Sequence, residues 1–223
     1  MNKLNLNKVT LACIDDVDPA MAKMIMKSLL ARIDFAESRL FSSKDESYVD
    51  HKINSINSLR DYSIFAVKEM HKYINSEFLM IIQRDGYPIN LEAWDDQFLD
   101  YDYIGAPWNW IPQNNRPNIC PVGKCVGNGG FSIRSKKLMT TASEYDYDGS
   151  QGDEDEFLCR VIGDDLKSKD INFAPTELAS YFSVENFPYN NQFGFHGPYT
   201  LQLNKRMGIF KFKDHAYEDD YKD

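Results

Sequence analysis

The chain has 223 residues, of which 43% are hydrophobic, 13% aromatic and 26% charged, a composition that favours one globular domain and excludes disordered and fibrous classes. Its 25 Lys and Arg residues against 34 Asp and Glu residues give a net charge of −9, so the overall field repels polyanions and disfavours general nucleic-acid binding. The longest apolar run, Phe78–Ile82, is far shorter than the roughly 20 residues of a bilayer-spanning helix.

The N-terminal segment indicates that the protein is not exported. It has neither the apolar stretch nor the cleavage site of a secretory signal peptide, so a cytoplasmic protein without a transmembrane segment is expected. Reduced thiols are then the default for its four cysteines. Only two of these are close in sequence, and no second Cys or His pair completes a zinc site; the four are Cys13, Cys120, Cys125 and Cys159.

The first predicted unit is a strand followed by a helix. Residues 8–14 form an apolar run of strand length, and an acidic cluster that includes Asp15 follows it. Asp18 and Pro19 provide an N-cap and a first helical residue, after which apolar residues recur at helical spacing. A strand followed by a helix is typical of the opening of an α/β unit.

The next elements continue the α/β pattern. A short strand is predicted over residues 38–42 and a polar loop over residues 45–58, and apolar residues over 59–73 mark one face of a helix of about four turns. Residues 77–83 are predicted to form a core strand. Gly and Pro then force a turn that leaves Asp85 at the carboxyl end of this strand, the position at which open α/β sheets bind ligands.

The second half of the chain contains shorter predicted elements. We expect the following in chain order: a short helix over 91–99, a strand from 103, a loop over 107–122 with four prolines, a strand over 131–134, a helix from 136, a helix over 154–166, and weak strands over 171–174 and 181–184. Long loops of this kind are usually functional. A single α/β domain over residues 1–210 is the economical interpretation. The charged tail, 211–223, ends in a sequence similar to an epitope tag.

Two clusters contain residues suited to binding or proton transfer. Gly127, Asn128, Gly129 and Gly130 place three glycines in four positions, which lets the backbone approach a ligand closely. The cluster has neither the spacing of a P-loop nor that of the dinucleotide fingerprint, so kinase, GTPase and dehydrogenase functions lose their main support. Residues 153–156 are four consecutive carboxylates at a predicted helix start. Most of them serve the helix dipole, but one held facing a cleft would be a general base.

Single residues add to these clusters. A turn aspartate such as Asp85 more often caps backbone N–H groups than binds a ligand. His196 lies between glycines and aromatics and is suited to a divalent ion, a phosphate or a reacting hydroxyl, although a lone histidine is more often structural. Trp108 and Trp110 follow two tyrosines beside the long loop. Their rings are suited to stacking on a sugar or a base of the acceptor. The alternative is that they pack in a corner of the hydrophobic core.

Five motifs occur in an order that resembles a known family. The strings are LMIIQRDGYPI, FLDYDYIGAPW, VGNGGFSIRSKKL, EDEFLC and FGFHG. Together they resemble a bacterial and viral family of glycosyltransferase-like proteins of unknown function, similar to the GT-A nucleotide-sugar transferases. The resemblance implies a GT-A-like sandwich with a mostly parallel central mixed sheet, a nucleotide-binding N-terminal half and an acceptor-binding C-terminal half.

The resemblance also implies roles for individual residues. Asp85 is similar to the last aspartate of an Asp-X-Asp motif that holds Mn²⁺ or Mg²⁺ under the donor diphosphate, and His196 would complete this site. The sequence departs from that motif at Gln83 and Arg84, and Arg84 would offset phosphate charge. Asp155 is the preferred base and Glu154 the second. Donor binding would further involve four loop residues and the first strand's aspartate, namely Gly127, Asn128, Gly129, Gly130 and Asp15.

The predicted function is therefore transfer of a sugar from a nucleotide-diphosphate donor to a hydroxyl acceptor on a glycan or glycolipid. Inverting displacement is favoured because it needs one base, and a retaining route is left open. The alternatives are a modified nucleobase in viral DNA as acceptor, which the net charge disfavours, and an inactive nucleotide-sugar or carbohydrate-binding module. A metal-dependent phosphoryl or nucleotidyl transferase is a third, weaker class.

Overall fold

The structure is a computed structural model that describes residues 3–108, 126–197, 200 and 202. Its strands are β1 (Leu4–Ile14), β2 (Ile33–Ser42), β3 (His51–Lys52), β4 (Phe78–Ile82), β5 (Gly86–Pro88), β6 (Tyr103–Gly105), β7 (Ser132–Ser135), β8 (Ser183–Glu185) and β9 (Gly194–His196). Its α-helices are α1 (Pro19–Leu30), α2 (Leu59–Ile64), α3 (Lys136–Ser143), α4 (Glu154–Glu156), α5 (Gly163–Ser168) and α6 (Thr176–Phe182). Among these residues no helix is long and apolar enough to cross a membrane.

Six strands form a central mixed sheet in the order β3-β2-β1-β4-β7-β6. Strands β1 to β4 pair in parallel, while β7 runs antiparallel to both β4 and β6. Because β2 lies on one side of β1 and β4 on the other, the strand order reverses between β1 and β4. The carboxyl ends of these two strands therefore form a topological switch point, where doubly wound sheets bind ligands.

A second sheet brings the C-terminal part of the chain to this edge. It has the order β5-β9-β8, and its register pairs Gly86 with His196 and Glu185 with His196. Strand β5 follows β4 after three residues, so the small sheet lies directly beyond the carboxyl end of β4. The prediction of one mixed α/β fold is confirmed at this level.

Helix α1 forms where its cap and apolar spacing predict it. The side chain of Asp18 accepts a hydrogen bond from the Met21 N–H at 2.9 Å, and Pro19 is the first helical residue. One face of the helix packs into the core, and its buried residues include Ala22, Ile25, Met26 and Leu29. A terminal N–H group is thus satisfied while the apolar stripe is buried.

Replacing the cap tests this local account. Asp18→Ala removes the acceptor for the Met21 N–H and is expected to cost about 1 kcal/mol, which lowers Tm by about 2–4 °C in a domain of this size. Thermal unfolding measures the change. Asp18→Asn keeps a capping oxygen and is the matched control, so equal losses in both variants would contradict the capping role.

Several predicted elements differ in detail. The helix predicted over 59–73 is α2 continued by a π-helical turn and a 3-10 turn. The helix predicted over 91–99 is two 3-10 turns, since the Asp95 side chain accepts from the Gln97 N–H and starts a new turn. The helix predicted over 154–166 is interrupted at Ile162, whose ψ of 3° is outside the helical range.

Several short elements were missed, namely β3, β5, β9 and α6, and other predicted elements lie outside the described residues. The strand predicted over 181–184 is confirmed only at its end, by β8, because residues 181–182 end helix α6, whose Ala179 and Phe182 face the core. The strand predicted over 171–174 is only an isolated bridge at Phe173. Strand β9 was missed because a three-residue strand carries no periodic signal. Cys13 and Cys159 are buried and free. Most of the predicted loop 107–122, two cysteines and the tail 211–223 lie outside the described residues.

Candidate functional site

An ion pair links the ends of the two strands at the switch point. Arg84 Nε donates to Asp15 Oδ2 at 2.6 Å, and the Val17 and Asp18 N–H groups donate to Asp15 Oδ1 at 2.9 and 2.8 Å. Asp15 is buried and both of its oxygens contact protein groups. Asp15 was predicted to bind the donor. Because its oxygens already contact protein groups, a role in fixing the structure of this sheet edge suits it better than direct contact with a ligand.

Asp16 is a second organising aspartate, which sequence analysis left without a role. Its carboxylate accepts hydrogen bonds from the Ser42 hydroxyl at 2.6 Å, the Ser43 N–H at 2.5 Å and the Ile56 N–H at 2.7 Å. Burial acts to raise the pKa of Asp16, but these hydrogen bonds outweigh it and lower the pKa. The residue joins the ends of β1 and β2 to the loop before α2.

The His196 ring lies beside Asp85 and is held from both sides. Its Nε2 is 3.0 Å from Gln83 Oε1 and 3.9 Å from Asp85 Oδ1. Its Nδ1 is 3.1 Å from Glu185 Oε1 and 2.8 Å from Asn128 Nδ2. Burial would lower the pKa of His196, but the hydrogen bond with Glu185 and the charges of Asp85 and Glu185 outweigh burial and raise it.

This arrangement bears on the predicted divalent cation. Each ring nitrogen of His196 already contacts protein side chains, Nε2 that of Gln83 and Nδ1 those of Glu185 and Asn128. In the described part of the chain, no group of three or more His, Cys, Asp or Glu side chains is placed to hold a metal ion. The donor set as arranged does not fit Mn²⁺ or Mg²⁺ with His196 as a ligand.

The glycine loop, residues 127–130, lies against the same histidine. Asn128 has a left-handed backbone with φ of 58°, and the Tyr103 hydroxyl donates to its carbonyl oxygen at 3.1 Å. A Cβ on Gly130 would lie 1.9 Å from His196 Nε2. Glycine is required there because the imidazole occupies the space of a side chain.

Asp155 and Glu154 contact the loop from the opposite side. The Gly129 N–H donates to Asp155 Oδ2 at 2.7 Å, while Glu154 Oε1 accepts from Arg134 Nη2 at 2.9 Å. Arg134 and Glu154 are 1% and 3% exposed, so this ion pair is fully buried. Asp155 is half-buried and retains contact with solvent. Its Oδ1 accepts from the Glu156 N–H at 2.7 Å, so each of its oxygens accepts one backbone hydrogen bond, and of the two predicted bases Asp155 is the one outside the buried ion pair.

The environment of Asp155 makes it a stronger base than an ordinary aspartate. Burial and the negative charge of Glu154 raise the pKa of Asp155 to about 7, against the opposing effects of the Gly129 N–H and Arg134. A carboxyl group that titrates near neutral pH both accepts and releases protons readily there. Perturbed acids of this kind cluster at functional sites.

The predicted acceptor aromatics are only partly described. The guanidinium of Arg160 lies over the Trp108 ring, 3.9 Å from its centroid, and a Cβ on Gly127 would lie 2.1 Å from Trp108 Cζ2. One face and one edge of this indole are thus occupied by protein. Trp110 lies outside the described residues.

Several of the predicted residues lie together, with three partners that sequence analysis missed. Asp85 and His196 lie together, and the glycine loop connects them to Asp155. Arg134, Gln83 and Glu185 were not predicted. A signal existed for two of them, since Arg134 is a charge in the buried strand β7 and Gln83 is the polar residue after the apolar strand β4.

Comparison with protein families places most of this site in one family. The profile described as "Protein of unknown function (DUF5672)" matches residues 46–196, more than half of the chain. The chain belongs to this family. The matched segment contains Asp85, the glycine loop, Asp155 and His196, whereas Asp15 precedes it. No curated protein matches the chain. The family's description states no activity, so the resemblance to glycosyltransferases stays a prediction.

Proposed function

We propose that the chain is a glycosyltransferase that moves a sugar from a nucleoside-diphosphate donor to a hydroxyl acceptor, with inversion. The observation that supports this most is the contact of two different chemical groups with consecutive loop glycines. Asp155 accepts from the Gly129 N–H, and the His196 ring lies against Gly130. A carboxylate and an imidazole are thus held on two sides of one short, buried loop.

Asp155 is the proposed general base. In the reaction the acceptor oxygen attacks the anomeric carbon and its proton passes to the Asp155 carboxylate, while the bond from that carbon to the diphosphate oxygen breaks. Glu154 is already paired with buried Arg134, which leaves one carboxylate of this pair for proton transfer. Direct displacement needs only one, and this favours inversion.

The leaving diphosphate requires positive charge at the other side of the anomeric carbon. His196 in its protonated form is the proposed source of this charge, while Arg84 is paired with Asp15. Preorganised charges and N–H groups stabilise a leaving group more effectively than water does. The glycine loop is itself buried, so the donor would lie beside it, and a hydroxyl on a glycan or glycolipid would enter from the side of Asp155.

Donor binding and product analysis test this proposal. Isothermal titration with UDP and with GDP, each with Mn²⁺ and with EDTA, is expected to give binding of one nucleotide. Incubation with the matching nucleotide-sugar is expected to release free nucleoside diphosphate. Release of pyrophosphate would indicate nucleotidyl transfer instead. Absence of heat with every nucleoside diphosphate in both conditions would overturn the proposal.

A further inference from the structure

The peptide group of Gly129 is held on three sides by charged side chains. Its N–H donates to Asp155 Oδ2 at 2.7 Å, and its carbonyl oxygen accepts from Arg134 Nη2 at 3.4 Å. A Cβ on Gly129 would lie 1.8 Å from Glu154 Oε1, so the third side is closed by the Glu154 carboxylate. These contacts join a buried ion pair directly to the half-buried Asp155.

Arg134 also contacts residues outside this loop. Its Nε donates to the Ser132 hydroxyl at 3.2 Å, and its guanidinium lies 5.4 Å from the centroid of the Tyr103 ring. The same tyrosine donates to the Asn128 carbonyl oxygen. The guanidinium therefore belongs to a rigid layer beneath the loop, and Glu154 is held by it.

We propose that the buried Arg134–Glu154 pair positions the Gly129 peptide and controls the charge of Asp155, so that Glu154 is a positioning residue and not a second base. The assignment of a chemical task to Asp155 rests on the proposed function. The effect of the pair on the charge of Asp155 does not rest on it, because that effect concerns only proton binding by the folded protein.

Among the described residues, few groups are placed to influence the protonation of Asp155. The charged and titratable groups that face it are Glu154, Arg134, His196, Tyr103, Tyr147 and Cys159. Burial raises the pKa of both tyrosines and of the cysteine, so these three are neutral at pH 7. His196 lies beyond Gly130, and of the charges that the structure describes, those that act most strongly on Asp155 belong to the pair.

Because the two residues of the pair carry opposite charges, removing one or the other is expected to shift the titration midpoint of Asp155 in opposite directions. Glu154→Gln removes a negative charge but keeps an oxygen that accepts from Arg134, and it is expected to lower the titration midpoint of Asp155 by about one pH unit or more. Arg134→Met removes the positive charge and is expected to raise that midpoint. Glu156→Gln makes the same chemical change on a half-exposed side chain paired with Arg160 and is expected to leave the midpoint within about 0.3 pH units, because solvent screens it.

The experiment is an NMR titration of the folded full-length protein labelled with ¹³C in the aspartate carboxyl groups. Asp155→Asn identifies the Asp155 signal by its disappearance. Opposite shifts in the two pair variants support the proposal, and an unchanged midpoint in Glu154→Gln overturns it. If Arg134→Met does not fold, the comparison of the Asp155 midpoint in Glu154→Gln with that in Glu156→Gln is sufficient to test the proposal.

The same samples separate this inference from the proposed function. Donor turnover is measured in parallel with the titration. If the midpoint moves as expected and no nucleotide-sugar is turned over, the inference that the Arg134–Glu154 pair controls the charge of Asp155 stands, and the transferase proposal fails. If turnover occurs and its pH profile follows the midpoint in Glu154→Gln, both stand. If turnover occurs but the midpoint does not move, the transferase proposal stands and this inference is wrong.

Discussion

Asp155→Asn is expected to reduce sugar transfer by about 10²–10⁴-fold, the usual contribution of a general base. The amide oxygen still accepts the hydrogen bond from the Gly129 N–H, but the group no longer accepts a proton from the acceptor hydroxyl. Donor binding should change little, because the proposed function places Asp155 on the acceptor side of the glycine loop. Initial rates of nucleoside-diphosphate release, with the donor affinity measured separately, distinguish loss of chemistry from loss of binding.

The pH dependence of the wild-type rate follows from the same group. The base is active when deprotonated, and the pKa of Asp155 is raised to about 7. The rate should therefore rise with pH through about 7 and then level off, whereas the residual rate of Asp155→Asn should lack this rise. Glu177→Gln, an exposed change on α6, is the matched control. Turnover in Asp155→Asn equal to that of the wild type would refute the assignment of the base.

The stability of the fold provides a readout of Asp155 without any substrate. Its pKa in the folded protein is above the ordinary value of 3.8, so between these two values the folded state binds more protons than the unfolded state. The free energy of unfolding contributed by this group therefore falls as pH rises from about 4 to about 7. Asp155→Asn lacks this loss, so its Tm relative to the wild type should increase over that range.

Gly129→Ala is expected to destabilise the fold by about 3–5 kcal/mol. The new Cβ would lie 1.8 Å from Glu154 Oε1 and 2.8 Å from Arg134 Nη2, so the Glu154 side chain must move away from the guanidinium. Separating a buried ion pair leaves charges uncompensated, at a cost of about 3–5 kcal/mol. Total stabilities are about 5–15 kcal/mol, so a fall in Tm of about 10 °C is expected.

A glycine in a less crowded place provides the control for this substitution. At Gly163, which begins α5, the nearest atom to an added Cβ is the Leu158 carbonyl oxygen at 3.4 Å. Gly163→Ala should therefore change the free energy of unfolding by less than about 1 kcal/mol. Urea unfolding of both variants compares them. A loss below about 1 kcal/mol in Gly129→Ala would show that Glu154 moves aside without leaving Arg134.

Parts of the candidate site were predictable because their signals are local. Asp85 follows an apolar strand and precedes a glycine, which places it at a sheet edge on sequence evidence alone. The four carboxylates of residues 153–156 were recognisable as a group, but which of them faces the interior was not. That depends on the phase of α4 and on Arg134, which lies 20 residues earlier in sequence.

Other parts depended on contacts that leave no periodic trace. The pairing of β9 with β5 places His196 beside Gly86, across more than a hundred residues of chain. Gln83 and Glu185 hold the two nitrogens of that histidine, and their roles appear only once both sheets have formed. The predicted metal site did not include these partners, because a sequence does not show whether a ring nitrogen is already engaged.

The sequence by itself determined the features that depend on residues within a few positions of one another. These are the buried strands, the cap of α1, the strand-to-turn position of Asp85 and the bare backbone of the glycine loop. Only the tertiary structure decided that Glu154 is paired and buried while Asp155 remains accessible. The physical reason is that the cost of burying a charge depends on what surrounds it, and here those surroundings come from β7 and the glycine loop.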